Sequence, residues 1–169
     1  MEELLKKDFR CDAYWAEQIE LCLNIAVKAH SGQMDKVGLP VILHPLTVGG
    51  MGNTAEEVCV GFLHDTIEDT EVTEEGLLKY GVDKDVVACV KILTHADGVS
   101  YEDYVKYILD SGNKTAINVK HYDLAHNSKR ASIYGFSKQI DKYRRALKLF
   151  DGHSPNPTQV PKRYDAKGL

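Results

Sequence analysis

The spacing of apolar residues constrains the fold of this chain more than any other feature of its sequence. After Asp12, a residue type that caps helices, apolar side chains recur at four-residue intervals until Gly32, at Trp15, Ile19, Leu23 and Val27. Thr54 and, three residues later, Glu57 form the capping box that precedes another helix. Alternation of apolar and polar residues, which is typical of strands, is nearly absent. The sequence therefore predicts an all-α fold.

Proline, glycine and capping residues mark the starts and ends of the remaining helices. These positions are Pro45, Thr73, Gly81, Asp83, Ser100, Gly112, Lys114 and Ser137. We expect a single domain of about seven helices over residues 1–150, with the last two helices near residues 114–127 and 137–150. Residues 151–169 hold three of the five prolines and are expected to form an extended or disordered tail.

Charge and composition exclude several classes of function. The formal net charge is −4, whereas a surface that follows nucleic-acid phosphates needs clustered Lys and Arg. No apolar run approaches the ~20 residues of a membrane-spanning helix, and the first ten residues do not resemble a signal peptide. The four cysteines are scattered without a CxxC pair, so neither a disulfide framework nor a thiolate zinc site is expected. We expect a protein of the reducing cytoplasm that binds neither nucleic acid nor membrane.

One stretch combines a histidine with several carboxylates at the end of an apolar run. Residues 61–70 read GFLHDTIEDT, and their polar part directly follows the apolar residues 58–63. Carboxylates beside a core segment cost free energy unless a positive charge neutralises them. On a continuous helix, His64 and Asp65 point about 100° apart and can converge on one cation, with Glu68 and Asp69 one turn further along.

Two further ligands are expected from elsewhere in the chain, because two side chains do not hold a metal ion tightly. His44, beside Pro45, and Asp123, on a later helix, are the candidates. Two imidazoles and two carboxylates suit Mn, Fe, Co or Zn better than Ca. Such an ion lowers the pKa of water toward neutrality, and the acids at positions 68 and 69 would then orient that water or protonate a leaving oxygen.

The same residues also fit a purely structural interpretation. The acids of the stretch would then form a solvated helix end, and His44 would be a capping or core histidine. His126, one turn after Asp123, is expected either in a second layer around the site or on the surface. Spacing alone leaves the metal site and the structural interpretation open.

Six short motifs occur in a recognisable order. They are AHSGQ at residues 29–33, GLPVILHP at 38–45, FLHDTIEDTEVT at 62–73, YG at 80–81, TH at 94–95 and DLAHN at 123–127. In this order and spacing they resemble the hydrolase domain of the Rel/Spo alarmone enzymes, a branch of the HD metal-dependent phosphohydrolases. The resemblance implies an HD-domain helical bundle. Because the sequence ends soon after the last motif, we expect it to resemble the small stand-alone alarmone hydrolases, without a synthetase half.

The resemblance also implies roles for individual residues. Its metal ligands, typically for Mn²⁺, fall on His44, His64, Asp65 and Asp123. The acidic pair that acts on the water or the leaving group falls on Glu68 and Asp69, and an asparagine that touches the nucleotide falls on Asn127. The implied reaction is hydrolysis of the 3′-pyrophosphate of a guanosine nucleotide, (p)ppGpp, which releases pyrophosphate.

The positions that would face the substrate depart from the family pattern. An arginine that stacks near the base is replaced by Asp35, which leaves Lys36 as the basic residue of that loop. The basic residue that usually follows the distal aspartate is Leu124 here. The side chains expected to bind the substrate are Lys36, Asn127, Lys129 and Arg130.

Three functions stay open at the level of the sequence. The first is hydrolysis of (p)ppGpp at its 3′-pyrophosphate. The second is the same metal chemistry on another nucleoside phosphate, which Asp35 and Leu124 favour. The third is a metal- or nucleotide-sensing module without turnover. Glu68 and Asp69 argue against the third function, because binding alone needs no proton-handling pair.

Overall fold

The computed structural model describes residues 12–152, and within this range the chain forms nine helices and no strand. In chain order they are α1 (Ala13–Ala29), α2 (Leu43–Gly50), α3 (Ala55–Leu63), α4 (Thr66–Asp69), α5 (Glu74–Tyr80), α6 (Lys84–Leu93), α7 (Tyr101–Asp110), α8 (Lys114–Tyr134) and α9 (Ser137–Gly152). An isolated bridge between Met34 and Pro40 closes the loop between α1 and α2. The predicted all-α fold of a single domain is confirmed.

Side chains cap the helices where the sequence predicts caps. Asp12 Oδ1 accepts a hydrogen bond from the N–H of Trp15 at 2.9 Å, and Thr54 Oγ1 accepts one from the N–H of Glu57 at 3.1 Å. The Glu57 carboxylate reaches back to the N–H of Asn53 at 2.6 Å. These bonds satisfy backbone donors that have no partner inside the helix, so α1 and α3 begin at defined residues.

The stretch at residues 61–70 is not one continuous helix, so that expectation is wrong. A turn at His64 and Asp65 separates α3 from α4, and Asp65 has φ −95° and ψ −3°. The His64 ring donates from Nδ1 to the carbonyl oxygen of Gly61 at 2.8 Å. A continuing helix would pair that carbonyl with the N–H of Asp65, so the His64 side chain competes with the helix at this point.

The described residues form nine helices, whereas about seven were predicted, and α8 ends later than the predicted residue 127. The separate α4 adds to the count, and α8 continues past Asn127 to Tyr134 before it stops at Gly135. Gly135 has φ 73°, a left-handed conformation that favours glycine, so this glycine is the stop signal. Helix α9 includes residues 151 and 152, the first two residues of the expected tail, and the rest of that tail lies outside the described residues. The domain boundary at residue 150 stays a prediction.

The central packing of the described helices involves α3, which contacts α1, α2, α6 and α8. Fully buried side chains of the core include Val48, Val60, Leu63, Leu77, Val90, Ile108, Val119 and Leu124. Helices α2 and α3 approach closely at two glycines, because a Cβ on Gly61 would lie 2.6 Å from Cα of Gly49. This contact places the first turn of α2, which carries His44, near the end of α3, which His64 follows.

No helix between residues 12 and 152 has both the length and the apolar character that crossing a bilayer requires. In the same part of the chain, Cys22, Cys59 and Cys89 are buried free thiols. Their side chains pack in the core as small apolar groups.

Candidate metal centre and the adjoining cavity

Four side chains from three parts of the fold converge at one point. Nε2 of His44, on α2, lies 3.2 Å from Nε2 of His64 and 3.1 Å from Oδ1 of Asp123, on α8. The carboxylate of Asp65 lies 3.1 Å from Nε2 of His64 and 3.5 Å from Nε2 of His44. Nε2 of His64 and Oδ1 of Asp123 are 3.9 Å apart. The structure therefore brings together the four residues that the sequence predicts as ligands.

His64 is held in a defined orientation by the turn that it forms. Its side chain is buried, and its Nδ1–H donates to the carbonyl oxygen of Gly61, so Nε2 faces the cluster. Burial alone would lower the pKa of His64, but the charge and hydrogen bond of Asp65 outweigh it and raise this pKa to about 9. In the metal-free protein His64 therefore carries a proton that a metal ion would displace.

His44 is supported by a second histidine of α8. Nδ1 of His44 lies 2.7 Å from Nδ1 of His126, and the two rings are nearly parallel at 10°. Burial, followed by the electrostatic effects of His44 and Arg130, lowers the pKa of His126 to about 4, so this ring is neutral at pH 7. His126 thus lies in the second layer of the site, which was one of its two expected positions.

Asp123 is paired with a lysine that the sequence interpretation missed. Nζ of Lys120 lies 2.7 Å from Oδ2 of Asp123, and both side chains are buried. Burial alone would raise the pKa of Asp123, but Lys120 holds it well below its usual range. The ammonium of Lys120 also lies 4.7 Å from the centroid of the Tyr104 ring. The sequence contains a signal for this pair, because residues three apart on a helix lie on the same face and Lys120 precedes Asp123 by three residues.

The cluster fits one divalent cation. Neighbouring ligands of an ion with bonds of about 2.1 Å are about 3 Å apart. Three distances within the cluster are of this size, those from His44 Nε2 to His64 Nε2 and to Asp123 Oδ1, and that from His64 Nε2 to Asp65 Oδ1. His44, His64 and Asp65 offer donor atoms that all lie within 4.8 Å of one another. Two imidazole nitrogens and carboxylate oxygens form the mixed donor set that transition metals accept. The residues therefore form a possible His/Asp metal site.

The two acids predicted to be catalytic follow the turn, on α4, and have different partners. Glu68 Oε2 accepts a hydrogen bond from the backbone N–H of His95 at 2.9 Å, whereas Asp69 lines a cavity beside the cluster. Partial burial raises the pKa of both carboxyl groups, and the negative charge of Asp65 raises both further. A raised pKa makes each carboxylate a better proton acceptor near neutral pH.

The cavity has a volume of about 410 Å³, and its lining combines two kinds of side chain. It shares His44 and Asp65 with the cluster, and Asp69 adds a further carboxylate to its polar lining. Its apolar and aromatic lining comes from Met34, Tyr134, Phe136 and Tyr143. The sequence did not predict the aromatic residues because all three follow the last motif, and Tyr143 reaches the site only through the packing of α9 against α8. Such a lining suits a ligand with a charged group and a flat, less polar group.

Three of the four residues predicted to bind the substrate line this cavity: Lys36, Asn127 and Arg130. Lys129 is exposed and does not contribute to the lining. The amide of Asn127 donates to Oδ1 of Asp123, so it is engaged with the cluster in this structure.

Asp35, at the position where the family pattern has arginine, shapes the loop and holds Arg130. Its Oδ1 accepts hydrogen bonds from the N–H groups of Val37 at 2.8 Å and Leu39 at 2.9 Å, and its Oδ2 accepts one from Arg130. The Leu39 N–H, together with Arg130, lowers the pKa of Asp35 below its usual value. Leu124, the other departure, is fully buried in the core. Of the two departures, only Asp35 forms part of the cavity wall, whereas Leu124 lies in the core.

The structure is that of an all-α protein with a possible His/Asp metal site. Comparisons with known proteins agree with this description. The sequence matches no protein-family model. It is 29% identical over 172 residues to the Streptomyces coelicolor protein named GTP pyrophosphokinase. The aligned region covers 89% of this chain and 19% of that protein. It is 28% identical over 160 residues to the Aquifex aeolicus guanosine-3′,5′-bis(diphosphate) 3′-pyrophosphohydrolase, covering 89% of this chain and 23% of the relative. The chain thus spans about a fifth of the length of these curated relatives.

A solved structure supports the same conclusion about the fold. It is described as a metazoan ortholog of SpoT that hydrolyzes ppGpp and plays a role in starvation responses. The two structures superpose with a TM-score of 0.66 over 84% of this chain and 86% of that chain, at 19% sequence identity. The HD-type helical fold implied by the motifs is confirmed, and so is the resemblance to Rel/Spo enzymes.

Proposed function

We propose that this protein is a metal-dependent phosphohydrolase that removes the 3′-pyrophosphate of (p)ppGpp. The observation that carries the proposal is the convergence of two imidazoles and two carboxylates beside a cavity of about 410 Å³. The activities given in the names of the Aquifex relative and the metazoan structure support the choice of substrate. We place the reaction in the reducing cytoplasm, where buried free thiols such as Cys22 persist.

The proposed ligands of one divalent ion, with Mn²⁺ as first choice, are His44, His64, Asp65 and Asp123. Bound there, such an ion would activate water near neutral pH and polarise a phosphoryl oxygen of the substrate. The buried cation Lys120 balances the negative charge of Asp123. A ligand set with two carboxylates is therefore not left with an uncompensated buried charge.

Proton transfer is assigned to the two acids of α4. Hydrolysis breaks the bond between the 3′ oxygen and phosphorus, so water must lose a proton and the 3′ oxygen must gain one. Asp69 lines the cavity, and its raised pKa makes it a base for the attacking water. Glu68, held by the N–H of His95, is assigned to orienting the water or supplying the proton to the leaving oxygen.

The lining of the cavity suggests how a nucleotide is held. Lys36 and Arg130 would balance phosphate charge, and Asn127 would contact the nucleotide when it turns from Asp123. The aromatic lining offers a flat, apolar surface for the base. Lys129, which is exposed on the same helix, would contribute long-range attraction for the anionic substrate.

A second candidate keeps the metal chemistry and changes the substrate to another nucleoside phosphate. The ion pair between Asp35 and Arg130 favours this candidate. An ionised carboxylate at the cavity wall neutralises the guanidinium and disfavours a ligand with several phosphates there.

A substrate panel distinguishes the candidates. The Mn²⁺-loaded protein is incubated with ppGpp, pppGpp and nucleoside mono-, di- and triphosphates, and both pyrophosphate and phosphate are measured. We expect pyrophosphate and GDP from ppGpp, and no product with the Asp65→Asn variant. Release from another nucleoside phosphate alone would favour the second candidate. No release from any compound by a metal-loaded protein would contradict both candidates and favour a sensing module.

A further inference from the structure

We infer that His126 is a positioning residue that fixes His44 in the tautomer able to bind the metal ion. The inference rests on the proposed function, because it concerns the same site. Nδ1 of His126 lies 2.7 Å from Nδ1 of His44, and the ring centroids are 4.9 Å apart. Two imidazole nitrogens at this distance share one hydrogen, so one ring donates and the other accepts.

The direction of this hydrogen bond decides what His44 can bind. If His44 donates from Nδ1, its Nε2 carries a lone pair, directed at the cluster formed with His64 and Asp123. If His126 donates instead, the proton of neutral His44 moves to Nε2. The Nε2–H group then donates a hydrogen bond to Asp123 Oδ1, 3.1 Å away, and the proton blocks the nitrogen that would bind the metal ion. A metal site therefore requires His126 to accept at Nδ1 and to carry its own proton at Nε2.

The two histidine ligands are supported in different ways. His64 donates from Nδ1 to the backbone carbonyl oxygen of Gly61, and no side-chain substitution removes that acceptor. His44 depends on the side chain of His126, which lies one turn after Asp123 on α8. His44 is only 7% exposed, so water has little access to replace the missing acceptor. The helix that supplies the distal carboxylate therefore also orients the first histidine.

Variants of His126 test this role through metal affinity rather than turnover. Chelator-treated protein is titrated with Mn²⁺ by calorimetry, and metal content is measured after dialysis. We expect His126→Leu to weaken Mn²⁺ binding about 10- to 100-fold, the usual effect of losing an outer-layer partner. His126→Asn should restore most of the affinity, because its side-chain oxygen can accept in place of Nδ1. His121→Asn is the matched control, an exposed histidine of the same helix that contacts Phe150.

Wild-type affinity in His126→Leu would overturn the inference, and so would an Asn variant as weak as the Leu variant. A measurement without variants covers the case in which His126→Leu does not fold. In ¹⁵N NMR spectra of the Zn²⁺-loaded wild-type protein, His44 should be protonated at Nδ1 and His126 at Nε2. The opposite tautomers would contradict the assignment.

An Asp65→Asn sample in the same titration separates this inference from the proposed function. If Asp65→Asn binds Mn²⁺ as the wild type does, the metal site fails, and the proposed function and the role of His126 fail with it. If Asp65→Asn loses the metal while His126→Leu keeps it, only the role of His126 is contradicted.

Discussion

At the scale of single residues, the ionisation of His64 connects folding with the proposed metal binding. Asp65 raises the pKa of His64 to about 9, against about 6.5 in an unfolded chain. The folded protein therefore binds this proton more tightly than the unfolded protein does. The resulting stability is fully present below about pH 6.5 and is lost as the pH rises through about 9. A divalent ion bound at the proposed site would compete for the same Nε2 atom.

Because of this competition, we predict that Mn²⁺ affinity increases with pH between 6.5 and 8.5. The increase should approach about tenfold per pH unit if one proton is displaced per ion. Over the same range, the free energy of unfolding of the metal-free protein should decrease. Calorimetric titrations at constant ionic strength and urea unfolding check the two trends. A constant affinity across this range would contradict the protonation of His64.

A second prediction at this scale concerns Lys120. Replacing it by Met leaves Asp123 buried without its cation, and removal of one partner of a buried pair costs about 3–5 kcal/mol. We expect Lys120→Met to lower the free energy of unfolding of the metal-free protein by this amount. Bound Mn²⁺ should recover part of the loss, since the ion neutralises the same carboxylate. Urea unfolding with and without Mn²⁺ measures both effects.

Lys106→Met is the matched control for the Lys120 variant. Lys106 also pairs with an aspartate three residues away, Asp103 at 3.7 Å, but both side chains are largely exposed. An exposed pair contributes about 0–1 kcal/mol, so this variant should unfold nearly as the wild type does. Equal stability of the Lys120 and Lys106 variants would show that the buried pair does not support the fold.

At the scale of helices, the approach of α2 to α3 determines the distance between the two histidines proposed as ligands. A Cβ on Gly61 would lie 2.6 Å from Cα of Gly49, so Gly61→Ala must push the two helices apart. We predict a loss of stability of about 1–3 kcal/mol, the usual cost of overpacking, together with weaker Mn²⁺ binding. Thermal unfolding and Mn²⁺ titration measure these effects.

Gly50→Ala provides the control for this contact. A Cβ on Gly50 meets nothing within 4 Å, and alanine is favoured over glycine inside a helix by about 0.5–1 kcal/mol. The Gly50 variant should be at least as stable as the wild type and should bind Mn²⁺ equally well. If Gly61→Ala behaves in the same way, close packing of α2 on α3 is not needed for the site.

The helices were predictable from local signals, and their interruption was not. Caps at Asp12 and Thr54 act over three residues, so the sequence shows them directly. The turn after α3 depends on His64 reaching the carbonyl oxygen of Gly61, and this bond competes with a helical pattern that otherwise continues. His64 and Asp65 still converge with His44, because adjacent residues in this turn can point at one site without an unbroken helix.

At the scale of the whole molecule, the candidate site joins segments that are far apart in the chain. Its proposed ligands come from α2, from the turn between α3 and α4, and from α8. The sequence indicated these residues through their chemistry and motifs. It did not reveal the aromatic lining, since Tyr134 lies beyond the predicted end of its helix near residue 127 and Tyr143 reaches the cavity only through the packing of α9. Lys120 was also missed, because a lysine on a helix is usually exposed.

The most direct test of the central claim combines metal content with turnover. Pyrophosphate release from ppGpp is measured while Mn²⁺ is added to chelator-treated wild-type protein and to Asp65→Asn. We predict that wild-type activity rises with Mn²⁺ and saturates at one ion per chain, and that the variant neither retains the ion nor releases pyrophosphate. Full metal content and full activity in Asp65→Asn would contradict the claim that this His/Asp cluster holds the ion on which the reaction depends.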